Sequence, residues 1–102
     1  MPRSQTMRDP IHQPIRDEGY LEYLRHQPCV ACMASAPSEP HHLEQGKVGK
    51  KADDWSGVSL CHTCHRIYHD QGQRTLEKRH NVNLWRQSHR QLRRYHKQKQ
   101  DQ

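Results

Sequence analysis

Cysteine and histidine are the residues in this chain whose types and spacing can do chemistry. Cys29-Val30-Ala31-Cys32 and Cys61-His62-Thr63-Cys64 form two C-x2-C pairs, and they use all four cysteines of the sequence. Each pair presents two thiolates from one tight turn, and two such turns can close a tetrahedron around Zn²⁺. The 28 residues between Cys32 and Cys61 make the spacing somewhat wider than a zinc ribbon's. A structural zinc on Cys29, Cys32, Cys61 and Cys64 is therefore expected. It would supply folding free energy that a small core lacks.

Two histidine pairs ask for separate treatment. His65 and His69 stand at i and i+4, so both imidazoles project from one helix face and can reach one metal ion. His65 adjoins Cys64 and so points away from that thiolate, which implies a second metal position. His41 and His42 are neighbours. In an extended segment neighbours face opposite sides, so one ring can bind metal while the other faces a substrate. Each pair alone is a weak signal, and an exposed His-x3-His is most often only a surface pair. The order strengthens both: C-x2-C, His-His, a long loop with acidic residues, then Leu60-Cys61 to His69.

The elements that must position these residues come from a poor supply of apolar side chains. The chain has 102 residues, 30% hydrophobic and 6% aromatic with no Phe, and its mean hydropathy is −1.32. That allows one small domain with a marginal core. A large self-sufficient core is excluded, and metal is the expected brace. Residues 1–15, with Pro2, Pro10 and Pro14, read as a flexible arm. Asp17 and Glu18 suit a helix start, with Tyr20, Leu21 and Leu24 on one face, so a helix is expected over 17–26. Pro28 stops it. His41-His42-Leu43 opens a short strand, residues 44–57 form a long loop, and Val58-Ser59-Leu60, which alternates apolar and polar, is a second strand. A helix then runs through His69 to Gly72, its C-cap. A short helix over 75–80 and a long one over 84–97 follow. Trp85, Leu92 and Tyr95 are expected on the buried side of the latter. The single zinc-braced domain is placed at 16–97, with a frayed tail at 98–102.

The net charge of +6 is unevenly placed. Residues 72–102 carry nine Lys or Arg against Glu77 and Asp101. A basic segment of this kind favours a polyanion, most often nucleic acid, although a solvated tail would look the same. No stretch approaches a membrane span, and the N-terminus has no apolar leader region. A reducing cytoplasm is the expected compartment, where paired cysteines more often hold metal than form disulfides.

The stretch Pro40-His41-His42, Lys51-Ala52-Asp53-Asp54-Trp55 and Leu60 to His69 resembles the HNH, or ββα-metal, endonucleases. In particular it looks like the phage Ref-like, RecA-dependent recombination nucleases and their small relatives. Tyr23-Leu24-Arg25, just before the first C-x2-C, also fits that group. The resemblance covers residues 20 to about 84 and is specific over 41–69. It implies a small α+β fold: a ββα-metal motif braced by a four-Cys zinc knuckle, with flanking N- and C-terminal helices. His41, His65 and His69 would hold a catalytic divalent ion (Mg²⁺, Mn²⁺, Ni²⁺ or Zn²⁺). His42 would be the general base. The family's middle Asn is absent. Asp54 stands nearest to where the phage relatives carry an Asp, with Asp53 the runner-up, and it would orient the base or assist the metal. Ser59 replaces a Pro that often precedes Leu-Cys.

The implied activity is phosphodiester hydrolysis in DNA with low sequence specificity, in phage or prophage recombination or repair. The implied partners are DNA and a recombinase filament or other recombination proteins. Lys47, Lys50, Lys51, Arg86, Arg90, Arg93, Arg94 and Lys97 are the candidate phosphate contacts. The rival is a non-enzymatic zinc module that binds DNA or protein as a recombination adaptor. It explains the cysteines and the basic end equally well, but not the two histidine pairs.

Overall fold

The computed structural model describes residues 14–44 and 52–101. Helix α1 (Glu18–Arg25) starts where Asp17 accepts the Tyr20 backbone N–H at 3.0 Å. Glu18 in its first turn and Arg25 in its last suit the helix dipole. Its inward residues are Tyr20 and Leu24, one turn apart and both fully buried. The Cys29–Cys32 turn follows. It closes through the Met33 N–H to the Cys29 carbonyl, and the Val30 N–H ties it to the Ser59 carbonyl.

Strands β1 (Glu39–His42) and β2 (Gly57–Leu60) pair antiparallel, with His41 opposite Val58 and Glu39 opposite Leu60. Opposed residues share a face. Glu39, His41, Val58 and Leu60 therefore face one way, and Pro40, His42, Gly57 and Ser59 the other. A single 3₁₀ turn, Asp54–Ser56, leads into β2. Helix α2 (His62–Gln71) begins directly after β2, and the Cys61 sulfur caps it by accepting the Cys64 N–H. Gly72 ends α2 at φ 96°, a conformation that favours glycine. Helices α3 (Gln73–His80) and α4 (Leu84–Gln100) complete the chain. Asn81, in the left-handed region, closes α3, and Asn83 caps α4 by accepting the Arg86 N–H at 2.9 Å.

Two apolar clusters flank the sheet. One joins Cys29, Leu43, Val58, Leu60, Cys64, Tyr68, Leu76 and Leu84. The other joins Tyr20, Leu24 and Tyr95. The apolar residues therefore do not all gather round the cysteines, and the second cluster joins α1 and α4, with Trp55 of the 3₁₀ turn packed against it.

Three expectations need correction. Trp85 is not on the buried side of the last helix; it is 49% exposed. Leu84, Ser88, Gln91 and Tyr95 face inward instead. Polar Ser88 and Gln91 hold that face because both bond to β2. Ser88 Oγ donates to the Gly57 carbonyl at 2.9 Å, and the Gln91 amide bonds Ser59 at its N–H and its hydroxyl. The second correction follows from the first: Ser59 is no exposed member of an alternating strand but fully buried. Its N–H is in use, so the proline common at this position in the resembled family would lose a bond here. The third concerns residues 98–102. No fray begins at 98, since α4 continues to Gln100 and the Asp101 N–H still bonds the Lys97 carbonyl. Of the expected N-terminal arm, residues 1–13 lie outside the described residues. Pro14 and Ile15 belong to no helix or strand, and the Ile15 carbonyl accepts the Asp54 N–H.

Candidate metal centres and the cleft beside them

The four cysteines converge. One sulfur from each of Cys29, Cys32, Cys61 and Cys64 lies within 4.8 Å of all the others, and the Cys32 and Cys61 sulfurs are 3.6 Å apart. Zn–S bonds of about 2.3 Å in a tetrahedron put sulfurs about 3.8 Å apart, so the donor set fits zinc. Both turns share one local geometry. The N–H of the second cysteine points at the sulfur of the first, at 3.4 Å in each pair.

The electrostatics agree with that fit. Burial raises the Cys29 thiol, but N–H donors from Cys32, Cys61 and Ala31 outweigh it and bring the group below its ordinary value. Burial, then the charge of Cys29, pushes the Cys64 thiol far up. Four thiols in this space cannot all ionise unless a cation joins them. His80 brings Nε2 to 3.9 Å from the Cys64 sulfur. The sequence offered no sign of that contact.

A second cluster stands one helical turn further along α2. His65 Nε2 is 3.1 Å from His41 Nδ1 and 3.1 Å from His69 Nε2. Burial first, then the neighbouring His65, His69 and His42, holds the His41 imidazole down to about 4, so it is neutral at neutral pH. Its ring lies against Tyr68, with centroids 3.9 Å apart, and its Nε2 is buried with no hydrogen-bond partner among the described residues. Leaving a buried polar atom unsatisfied costs about 1–3 kcal/mol. A metal bond at Nδ1 would offset that cost. Three ring nitrogens at this separation, without protons to share among all of them, suit a cation at their centre.

Glu39 belongs to this cluster, and motif spacing missed it. It accepts from His65 Nδ1 at 2.7 Å and from His62 Nδ1 at 3.2 Å, and hydrogen bonds from His65 and then His62 hold its carboxyl below the usual range. A carboxylate on the far nitrogen fixes the tautomer and leaves His65 Nε2 with a lone pair for metal. The available signal was strand alternation, which puts Glu39 on the face of His41 two residues away. Glu39→Gln should weaken Mn²⁺ or Zn²⁺ binding at the three-histidine cluster by about 10- to 100-fold while leaving the cysteine site loaded. Calorimetric titration of the zinc-loaded protein would measure this, and unchanged affinity would remove Glu39 from the site.

His42 faces the other way, as alternation requires, and meets Asp54 instead of the histidine cluster. His42 Nε2 and Asp54 Oδ1 are 2.8 Å apart. Asp54 is 3% exposed. Burial raises its carboxyl, but the Asp17 backbone N–H, His42 and the Arg16 guanidinium outweigh that and bring it below the ordinary value. Arg16 Nη1 donates to Oδ1 and the Asp17 N–H to Oδ2, each at 2.8 Å. With Asp54 ionised, His42 must present Nε2–H to it, which leaves Nδ1 as an open base. Asp53 is turned elsewhere: it caps the 3₁₀ turn by accepting the Trp55 N–H at 2.9 Å. Between the two candidate aspartates, the geometry pairs Asp54 with His42. Arg16, 38 positions away, had no signal in the sequence.

His41, His42, His65 and His69 line one cleft of about 500 Å³, closed by Pro40, Glu44, Ala52 and Tyr68. The predicted phosphate contacts of α4 do not line it. Arg86, Arg90, Arg93, Arg94 and Lys97 are exposed, and all but Arg86 line a separate hollow of about 610 Å³ along α4. Lys47, Lys50 and Lys51 lie outside the described residues. No helix among the described residues is long and apolar enough to cross a membrane.

Among the described residues the fold is small α+β, with a two-stranded sheet and four helices, and its four cysteines could hold a structural metal such as zinc. The chain belongs to DUF968, a family described as a protein of unknown function, whose model matches residues 1–95. No curated protein and no solved structure matches the chain.

Proposed function

We propose that the protein is a metal-dependent DNA endonuclease of the HNH type, with low sequence specificity and a role in phage or prophage recombination or repair. One observation carries this: the three imidazoles of His41, His65 and His69 and the ring of His42, which Asp54 holds from behind, line the same cleft. A structural zinc module needs neither. A divalent ion held by His41, His65 and His69 would neutralise charge on a phosphate oxygen and on the 3′ leaving oxygen. Three imidazoles favour Zn²⁺, Ni²⁺ or Mn²⁺ over Mg²⁺ for affinity.

His42 Nδ1 then accepts a proton from the attacking water as the general base. Asp54 holds the ring in the required tautomer, and Arg16 and the Asp17 N–H hold Asp54. Glu39 fixes His65 in the same way. The exposed arginines of α4 add sequence-independent, salt-dependent affinity for the phosphate backbone.

Purified zinc-loaded protein should convert supercoiled plasmid to nicked circles when Mn²⁺, Ni²⁺ or Mg²⁺ is added, and EDTA should stop it. Inert protein across all these ions, with DNA still bound, would favour the non-enzymatic adaptor.

A further inference from the structure

Trp85 is the largest side chain on the described surface that packing leaves half open, and Ile15 beside it is 36% exposed. They line a hollow of about 220 Å³ with Trp55, Ser56, Glu44 and Asp53. Trp55 is fixed in place: its Nε1–H donates to Asp17 at 3.0 Å, and its ring meets His96 edge-on at 4.9 Å. Among the described residues Trp85 has no such tether. Within them the hollow has one held ring and one that no hydrogen bond holds.

Its position matters more than its size. Glu44 lines both this hollow and the histidine cleft. Asp53 and Trp55 are the chain neighbours of Asp54, the residue that holds His42. The hollow therefore continues the cleft on the side of the proposed base. A volume of about 220 Å³ is below the roughly 300 Å³ at which small-molecule pockets begin, and suits one planar ring. The two carboxylates at its edge repel a phosphate but accept hydrogen bonds from base N–H groups, which every base carries (the ring N3–H in thymine, amino groups in the others). The chemistry selects a base and turns the backbone away, toward the cleft.

We propose that the hollow between Trp55 and Trp85 takes one unpaired nucleobase of the strand whose phosphate enters the histidine cleft, with Trp85 stacking on it. This deepens the nuclease reading and rests on it. The favoured substrate is DNA with an unstacked base next to the cut, since a paired base cannot leave its duplex without an unstacking cost. Stacking on an aromatic side chain is sequence-tolerant, as every base has a π-face.

The test is anisotropy titration of a labelled oligothymidylate with the zinc-loaded full chain, without other added divalent ion. Trp85→Ala should weaken binding about tenfold, within the range measured for one base–aromatic stack. Trp85→Phe should recover most of it. An oligonucleotide with abasic positions should bind wild type and Trp85→Ala alike. Equal affinity of wild type and Trp85→Ala for oligothymidylate overturns the base site, as does an equal loss on the abasic strand. Altered sedimentation of Trp85→Ala with unchanged DNA affinity would assign the hollow to a protein partner and also overturn it. Protein that nicks plasmid while Trp85→Ala binds normally loses the base site alone. Protein that binds no DNA loses the nuclease reading with it.

Discussion

Cys61→Ser is expected to leave the chain without a cooperative thermal transition and without bound zinc. Cys61 does three things at once. It supplies one of four converging sulfurs, its sulfur caps α2, and it joins that helix to β2. Structural zinc contributes roughly 10–16 kcal/mol in small zinc-dependent peptides. The two apolar clusters here are small, and one of them includes Cys29 and Cys64 themselves. In a chain this size a loss of 1 kcal/mol lowers Tm by about 4–8 °C, so losing a ligand worth several kcal/mol removes the transition from the accessible range. Circular dichroism melts alongside zinc stoichiometry would read this. A Cys61→Ser protein that melts like wild type would defeat the structural-zinc assignment.

The second large effect is at His42. Under the proposed activity, His42→Ala should reduce nicking by about 10²–10⁴-fold, the usual contribution of a positioned general base. Both metal sites should stay loaded, because His42 faces Asp54 and not the histidine cluster. That separation makes the experiment informative: lost activity with full metal content assigns His42 to proton transfer. Lost metal would assign it to the site's architecture. Wild-type rates from His42→Ala would exclude it as the base.

The residues that bear donor atoms were legible because metal ligation imposes spacing. Two C-x2-C pairs and His-x3-His are local patterns, and the structure brings each set within reach of a common centre. Asp54 was legible only as one of two neighbours, and what separates them is tertiary. Asp53 is used by the 3₁₀ turn, whereas Asp54 is buried under Arg16. Arg16, Tyr68 and His80 were not legible, since their partners lie far along the chain or carry no spacing rule. The last helix misled for another reason. Hydrophobic periodicity assigns buried faces to apolar residues, and here Ser88 and Gln91 take that face by bonding to β2 while Trp85 is turned out.

Helix α2 and its N-cap carry residues of both clusters: Cys61 and Cys64 at its start, His65 and His69 further along. A helix turns about 100° per residue, so fixing Cys64 also fixes the azimuth of His65. The geometry of the three-imidazole cluster is therefore tied to the closure of the four sulfurs. If both clusters take metal, the thiolates would load first and the imidazoles second, and a chain short of zinc would be poorly shaped to take the second ion.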